Sequence, residues 1–287
     1  MKENVNEEFL KRKMEKVISK LKEKGSVLVA LSGGVDSSLV AKLAKIALGD
    51  KVLAVTADSM TLPPGELEEA KKIAKEIGVK HLIIQVNELS NPNFAENPPE
   101  RCYYCKKELI SELKRLAREH NLAAIVDGTN AEDLKGHRPG ALALIEEGVF
   151  SPLADVGLTK NDVRKLAKML GLSTAEKPSM ACLSSRFPYL QRITQEKLRR
   201  VAEAEKTIKQ LTGIKELRVR DHGDIARVEV GRNERKLLYN EQLMDTIAGK
   251  LKALGFKYVT MDLQGYRSGS MDELLERKII PEKIHGK

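Results

Sequence analysis

A short apolar run that leads straight into a glycine-containing turn constrains this 287-residue chain most. Residues 27–31, VLVAL, are typical of a strand buried on both faces of a parallel sheet. The turn Ser32-Gly33-Gly34-Val35-Asp36-Ser37-Ser38 follows, and residues 35–48 predict a helix. Further strands are predicted at 52–56, 82–86 and 123–127, and further helices at 4–24, 66–77 and 106–119. This alternation predicts an α/β fold, a parallel sheet with helices on both faces whose ligands bind beyond the carboxyl ends of the strands.

The pattern changes after about residue 188. A charged helix is predicted at 194–211, and two β-like runs at 216–220 and 226–230 flank the turn Asp221-His222-Gly223-Asp224, typical of a hairpin. A helix at 232–254 and a strand at 258–263 complete the set. We therefore expect two domains, 1–188 and a smaller α+β domain 189–287, with a polar, mobile tail from Leu274 onwards.

Composition excludes several classes of protein. The apolar content of 41% supports real cores, while no uninterrupted apolar stretch approaches the roughly 20 residues that span a bilayer. Three cysteines do not suit a disulfide-stapled secreted fold, which points to the cytoplasm. The formal charge of +9 would suit nucleic acid, but an aromatic content of 4% with no Trp provides few stacking platforms.

The turn after the first strand has the chemistry of an anion site. Gly33 and Gly34 allow a tight turn that brings N–H groups close to an anion, and the helix beyond adds its partial positive charge. Asp36 would repel phosphate unless Mg²⁺ lies between them. Hydroxyl donors are available from Ser32, Ser37 and Ser38. The alternative is an ordinary strand–helix turn with a Ser/Asp cap; neither a Walker A nor a G-x-G-x-x-G motif occurs in the chain.

The SGGxDS turn after a first strand resembles the PP-loop of the ATP pyrophosphatases. That resemblance implies ATP cleavage to AMP and pyrophosphate, with adenylation of a carbonyl-type oxygen before a nucleophile displaces AMP. It also implies that Asp58, within the segment Val55-Thr56-Ala57-Asp58-Ser59 at the end of the second strand, contacts the nucleoside, and that the segment Asp127-Gly128-Thr129-Asn130 forms the pocket wall. The alternative for Asp58 and Asp127 is turn chemistry at a strand end.

Several segments in order narrow the resemblance to the LarE family of sulfur transferases. They are NPPERCYYCK (97–106), DGTNAED (127–133), HRPG (137–140), SPL (151–153), ACLSSR (181–186), LRVR (217–220) and IARVE (225–229). The resemblance implies adenylation of the carboxylates of a pyridinium-dicarboxylate mononucleotide and their conversion to thiocarboxylates, for the nickel-pincer cofactor of lactate racemase. It further implies ATP and Mg²⁺ as cofactors, a homo-oligomer, no nucleic acid or membrane partner, and a nucleotide site that includes Gly128, Thr129 and Arg138.

The three cysteines distinguish two types within that family. In one type a single cysteine, matched here by Cys182, gives up its own sulfur. The presence of Cys102 and Cys105 resembles the other type, in which three cysteines hold a [4Fe-4S] cluster and leave one iron open to an exogenous sulfide. Three alternatives stay open: buried structural thiols, a zinc site, which would need a fourth ligand, or a redox Cys-x-x-Cys pair with Cys182 as sacrificial donor.

Arginines of the second domain are candidates for binding an anionic substrate. Arg218 and Arg220 lie two positions apart on a predicted strand, so they share a face from which they could clamp phosphate or pyrophosphate. Arg186, close to Cys182, is a second candidate. Substrate contacts are also expected from Ser185 and Glu229, with Cys182, Asp36 and Arg186 as the catalytic candidates. The alternative for any single arginine is a solvated surface charge.

Two other functions fit part of the sequence. A tRNA-thiolating PP-loop enzyme would use the +9 charge and the cysteines, but no appended RNA-binding module is recognisable. A non-catalytic adenine-nucleotide sensor would need neither the cysteines nor the second-domain arginines. An ATP-dependent sulfur transferase explains the most residues.

Overall fold

The computed structural model describes residues 2–134, 139–267, 269–271 and 273. Contacts divide the chain into two compact units, Met1–Ala181 and Cys182–Lys287. This division lies before residue 188, so Cys182 and Arg186 belong to the second unit. The tail from Leu274, expected to be mobile, lies outside the described residues.

The first unit alternates strands with helices. Its elements are α1 (Lys2–Lys24), β1 (Val27–Ala30), α2 (Val35–Leu48), β2 (Val52–Asp58), α3 (Glu66–Ile77), β3 (Lys80–Gln85), α4 (Pro92–Ala95), α5 (Arg101–Glu119), β4 (Ala124–Val126), α6 (Pro139–Glu146), α7 (Pro152–Asp155) and α8 (Lys160–Met169). A 3₁₀ turn at Glu88–Ser90 precedes α4.

The four strands form one parallel sheet in the order β3-β2-β1-β4. From β1 the chain proceeds to β2 and β3 on one side and then returns to place β4 on the other. The strand order therefore reverses between β1 and β4, and the crevice beyond their carboxyl ends is where an open α/β sheet binds its ligand.

Alternate residues of β1 pack into separate cores on the two faces of the sheet. Val27 and Val29 belong to a core with α1, α2, α3 and α8, in which Leu39 is fully buried. Leu28 points to the other face, where it packs with Leu113 of α5. The period-two alternation of a strand buried on both faces explains the continuous apolar run. The predicted fold class is confirmed.

The second unit is a small α+β fold. After a 3₁₀ turn at Leu183–Arg186 come α9 (Gln195–Thr212), β5 (Leu217–His222), β6 (Ile225–Val230), α10 (Glu241–Ala253) and β7 (Tyr258–Met261). The sheet order is β5-β6-β7, with β5 antiparallel and β7 parallel to β6. One apolar core joins α9 and α10 to the sheet.

Two helices begin at positions that differ from the prediction. Helix α5 starts at Arg101 rather than Lys106, because the Pro98-Pro99 pair ends the preceding loop and the N–H of Arg101 already donates to Pro98 O. Helix α10 starts at Glu241 rather than 232, because Asn240 is extended and caps the helix through a bond from the N–H of Leu243. In the described part of the chain, no helix has the length and apolarity to cross a membrane.

Candidate active site

The loop between β1 and α2 has a backbone that only small residues permit. Gly33 adopts φ +74°, and a Cβ there would lie 3.2 Å from the backbone N of Ala70 on α3. Gly34 is the N-cap of α2 and has no side chain to accept a bond from the first helical turn. A helix N-terminus without a side-chain cap leaves N–H groups for an anion, as the sequence predicts.

The three serines of the loop have different surroundings. Ser32 is exposed, whereas Ser37 and Ser38 are buried. The Ser37 hydroxyl accepts from the N–H of Ser32 at 3.2 Å and donates to Gly34 O at 3.2 Å, and the Ser38 hydroxyl donates to the same carbonyl at 2.7 Å. The Ser32 hydroxyl lies 3.0 Å from that of Ser37 and accepts from the N–H of Gly34 at 3.4 Å, so all three serines bond within the loop, and Ser32 is the exposed one.

The segment after β4 packs directly against this loop. A Cβ on Gly128 would lie 2.6 Å from the backbone N of Ser37, so the two backbones touch. Asn130 donates through Nδ2 to the Asp36 carboxylate at 3.2 Å. The structure thus brings the predicted loop and the predicted pocket wall together at the point where the strand order reverses.

Asp127 has a structural role within that wall. Its two carboxylate oxygens accept from the hydroxyls of Thr129, at 2.5 Å, and Ser151, at 2.6 Å. The N–H of Asp127 donates to Phe150 O, which extends the sheet edge beyond β4. These contacts fit the alternative for Asp127, a role in the turn at the end of a strand.

Two lysines that the sequence analysis missed reach the loop. Lys160, the first residue of α8, forms an ion pair with Asp36. Lys177 donates to Gly33 O at 3.1 Å and to the Glu66 carboxylate at 2.8 Å. The separations along the chain are 124 residues from Lys160 to Asp36 and 144 from Lys177 to Gly33, so no local pattern could connect them. Both ammonium groups add positive charge where an anion would bind.

The remaining residues predicted to contact the nucleotide are Asp58 and Arg138. Asp58 ends β2 and accepts from Gln85 Nε2 at 2.7 Å, so its carboxylate lies at the carboxyl edge of the sheet as expected. Arg138 lies outside the described residues.

Cys102 and Cys105 lie in the first two turns of α5. Cys102 is exposed and Cys105 is half-buried, and their spacing of three positions places them on one face of the helix. A Cβ added to Gly140, on α6, would lie 3.7 Å from the Cys102 Cβ, so α6 packs closely there. Two thiols one turn apart have the donor chemistry of a metal or cluster site. Within the described residues, however, no group of three or more His, Cys, Asp or Glu side chains is arranged to hold a metal ion.

Glu147 connects α5 to the end of α6. Lys107 and Lys114 of α5 both bind the Glu147 carboxylate, the second at 2.6 Å. These bonds lower the pKa of Glu147 to about 2, with the bond from Lys107 as the largest cause. The cysteine-bearing helix is thereby held beside α6.

In the second unit, Arg186 connects Cys182 to α9. Arg186 is fully buried and binds Glu205 through Nε at 2.8 Å and Nη2 at 3.1 Å. Its Nη1 donates to Cys182 O at 3.1 Å, and the Ser185 hydroxyl donates to the same carbonyl at 2.9 Å. Cys182 itself is exposed. The predicted neighbours are thus brought together, with Arg186 positioned to orient the backbone at the cysteine.

Two arginines of the hairpin, Arg218 and Arg220, are 2% and 5% exposed, so the interpretation as solvated charges is wrong for them, whereas Arg227 is half-buried. Arg220 binds the fully buried Glu229 at 2.7 Å and donates to Ser185 O at 2.8 Å. Arg227 binds the other oxygen of Glu229 at 2.9 Å.

Arg218 has a different environment. Its guanidinium lies 4.8 Å from the ring centroid of Tyr266, and burial, followed by repulsion from Arg186, lowers its pKa. We define the arginine cluster as Arg186, Arg218, Arg220 and Arg227. Its ion pairs include those of Arg186 with Glu205, of Arg220 and Arg227 with Glu229, and of Arg227 with Asp262 at 3.9 Å. Guanidinium groups gathered in one place suit an anionic ligand in donor chemistry, because each presents a planar fork of N–H donors.

Comparisons with known proteins show which family this chain belongs to. The NAD synthase family matches residues 4–120, which include the loop. An uncharacterized protein of Synechocystis sp. is 41% identical over 94% of this chain and 100% of its own. The B subunit of a glutamine-hydrolysing GMP synthase from Methanococcus maripaludis is 32% identical over 69% of this chain and 67% of its own.

The pyridinium-3,5-bisthiocarboxylic acid mononucleotide synthase of Lactiplantibacillus plantarum is 38% identical over 93% of this chain and 96% of its own. This similarity covers both units, and the residues matched by the family model include the loop. The chain is an ATP-dependent enzyme, and it belongs to the LarE family of PP-loop proteins.

Proposed function

We propose that the protein is an ATP-dependent sulfur transferase that adenylates the carboxylates of a pyridinium-dicarboxylate mononucleotide and converts them to thiocarboxylates. The product would serve the nickel-pincer cofactor of lactate racemase. The observation that carries the proposal is the 38% identity, across 93% of the chain, to a synthase named for such a product. The loop at the sheet edge and the arginine cluster are consistent with the two anionic substrates.

The first step takes place at the loop. The N–H groups at the start of α2, together with the ammonium groups of Lys160 and Lys177, bind the ATP phosphates. A substrate carboxylate oxygen forms a bond to the α-phosphorus while the bond to pyrophosphate breaks, and these donors stabilise the leaving charge. Asp36 would hold Mg²⁺, which supplies neutralisation of the phosphate oxygens when bound.

The arginine cluster binds the substrate's own phosphate. Arg218 is buried on β5, with its guanidinium 4.8 Å from the Tyr266 ring centroid, and it offers a planar fork of donors to a phosphate. Arg220, whose guanidinium is shared with Glu229, completes a face with bidentate donors. Ser185 and Glu229 position the guanidinium groups. Ser185 O accepts from Arg220, and the Glu229 carboxylate binds both Arg220 and Arg227.

The second step transfers sulfur. A sulfur nucleophile forms a C–S bond at the activated carbonyl carbon, and AMP leaves with the oxygen. We assign Cys102, Cys105 and Cys182 as ligands of a [4Fe-4S] cluster, which supplies an iron able to carry exogenous sulfide when bound. The exposure of Cys102 and Cys182 is consistent with ligands that a cluster can reach. The alternative is that Cys182 attacks through its own thiolate and later loses its sulfur.

The test begins with anaerobically purified protein, from which iron and acid-labile sulfide are counted. The protein is then incubated with ATP, Mg²⁺ and the dicarboxylate mononucleotide, and pyrophosphate, thiocarboxylate product and the mass of the Cys182 peptide are measured. We expect pyrophosphate release that depends on the mononucleotide, near-stoichiometric cluster and an intact Cys182.

The variants Cys102→Ser and Cys182→Ser separate the two sulfur routes. A cluster role predicts that both lose iron and product. Loss of sulfur from Cys182 in iron-free wild-type protein, with an active Cys102→Ser variant, would contradict the cluster. No pyrophosphate release with the mononucleotide would contradict the proposed function as a whole.

A further inference from the structure

We propose that Thr56 and His81 are positioning residues that orient the Leu31–Ser32 peptide group and, through it, the anion-binding loop. The inference rests on the proposed role of that loop in binding ATP. Neither residue lies in the loop: Thr56 is on β2 and His81 on the edge strand β3. A chain of hydrogen bonds connects them to it.

The first bonds of this chain lie across three strands. The Thr56 hydroxyl, 2% exposed, donates to Leu31 O at 2.6 Å, and His81 Nε2 lies 2.8 Å from the same hydroxyl oxygen. A carbonyl only accepts, so the single hydroxyl proton of Thr56 is committed to Leu31. His81 Nε2 must therefore carry a proton and donate to Thr56, which excludes the neutral tautomer that is protonated at Nδ1 alone.

The other side of the peptide group is held as well. The N–H of Leu31 makes the last sheet bond, to Val55 O at 2.9 Å, so its carbonyl lies beyond the regular ladder. The N–H of Ser32 donates to the Ser37 hydroxyl, which donates to Gly34 O. The Leu31–Ser32 peptide is thus bonded at its carbonyl by Thr56 and at its N–H by Ser37.

This arrangement makes the orientation of the loop depend on the hydroxyl of Thr56. Leu31 is buried, so a carbonyl without the Thr56 proton would have to rotate towards another donor. Rotation of that peptide group moves Ser32 and the N–H groups that follow it. A donor bound to the Thr56 hydroxyl oxygen polarises the O–H bond of Thr56. The bond from His81 therefore strengthens the hydrogen bond from Thr56 to Leu31 O.

The test is a double-mutant cycle on ATP affinity, measured by calorimetry with the full chain and Mg²⁺. Thr56→Val keeps the shape of the side chain and removes the hydroxyl proton, so we expect ATP to bind about tenfold more weakly, as for the loss of one hydrogen bond. For His81→Leu, which only weakens that bond, we expect ATP to bind about threefold more weakly. Thr56→Ser and His81→Gln retain the donors and should bind ATP like the wild type. In a Thr56→Val background, His81→Leu should cause no further loss.

Steady-state kinetics supply a readout that a general loss of stability would not produce. We expect KM for ATP to rise in Thr56→Val, while KM for the mononucleotide stays at the wild-type value. Equal ATP affinity in Thr56→Val and wild type, additive effects in the cycle, or failure of Thr56→Ser to restore binding would overturn the inference. His81→Leu changes a half-buried residue on an edge strand, so it tests the chain of bonds even if Thr56→Val does not fold.

The outcomes for the wild type keep the two proposals distinct. If the unmodified protein binds no ATP, the proposed function fails. If it binds ATP and releases pyrophosphate while all the variants behave alike, only the positioning role of Thr56 and His81 fails.

Discussion

At the residue scale, Gly128 has no room for a side chain. A Cβ there would lie 2.6 Å from the backbone N and 2.9 Å from the Cα of Ser37. We predict that Gly128→Ala separates β4 from the loop, with ATP binding at least about tenfold weaker and the free energy of unfolding lower by about 2 kcal/mol, as for an overpacked core site. Calorimetry and urea unfolding would measure the two effects.

Gly249 provides the control for that substitution. It lies inside α10, and a Cβ there would meet nothing within 4 Å. Gly249→Ala should leave ATP binding unchanged and raise the free energy of unfolding by about 0.5–1 kcal/mol through helix propensity. Unchanged ATP affinity in Gly128→Ala would show that the contact is not needed by the loop.

The buried pair of Arg186 and Glu205 allows stability and activity to be separated. The side chains are 0% and 2% exposed, and Glu205 also accepts from the N–H of Val219. Arg186→Met should lower the free energy of unfolding by about 3–5 kcal/mol, because it leaves a buried carboxylate without its partner.

The double variant Arg186→Met/Glu205→Leu should regain much of that stability, since no unpaired charge remains. Its sulfur transfer should stay low if Arg186 also orients Cys182. Unfolding in urea and product formation would be compared in the same preparations. Wild-type activity of the double variant would assign the pair a purely structural role.

At the element scale, helix α8 delivers Lys160 to the loop. A capping box between Thr159 and Asp162 defines the first turn of α8, which places the Lys160 side chain beside Asp36. We predict that Lys160→Met weakens ATP binding by about tenfold or more, because one cation that faces the phosphates is lost.

Lys168, exposed on the last turn of the same helix, is the matched control. Lys168→Met removes the same charge from the chain and should leave ATP affinity at the wild-type value. Titration calorimetry in low and moderate salt would compare the two variants. Equal losses in both would assign the effect to net charge rather than to the position of Lys160.

At the scale of the whole molecule, two histidines make stability depend on pH. Burial lowers the pKa of His81, with a smaller contribution from Lys71, and burial followed by repulsion from Arg227 lowers the pKa of His222. Since both folded pKa values lie below 6.5, the unfolded chain binds more protons as the solution becomes acidic. The free energy of unfolding should therefore be highest above pH 6.5 and fall as the pH is lowered through the folded pKa values.

Urea unfolding at about pH 7.5 and about pH 5.5 measures this dependence. The variant His81→Gln/His222→Gln, which cannot take up these protons, should lose less stability than the wild type between the two conditions. The same decrease in both proteins would attribute the acid sensitivity to other groups.

Local patterns were sufficient for the strands, for the six longest helices and for the loop, whereas α4, α6, α7 and α8 were not predicted. The helix predicted at residues 35–48 is α2, Val35–Leu48, and the alternation of strands and helices determined the sheet class, because apolar period and turn chemistry are properties of neighbours in the chain. The predicted starts of α5 and α10 were wrong. The observed starts, Arg101 and Glu241, depend on which neighbouring N–H groups find an acceptor.

The sequence by itself therefore determined a parallel α/β unit with a PP-loop, a smaller α+β unit and the residue types available for the chemistry. Tertiary structure alone decided that Lys160 reaches Asp36, that Thr56 joins Leu31 to His81, and that Arg220 is buried beside Glu229. The physical reason is that these contacts depend on strand order and on the packing of helices across a sheet. The residues in these contacts lie far apart in the chain, so no pattern among neighbouring residues predicts them.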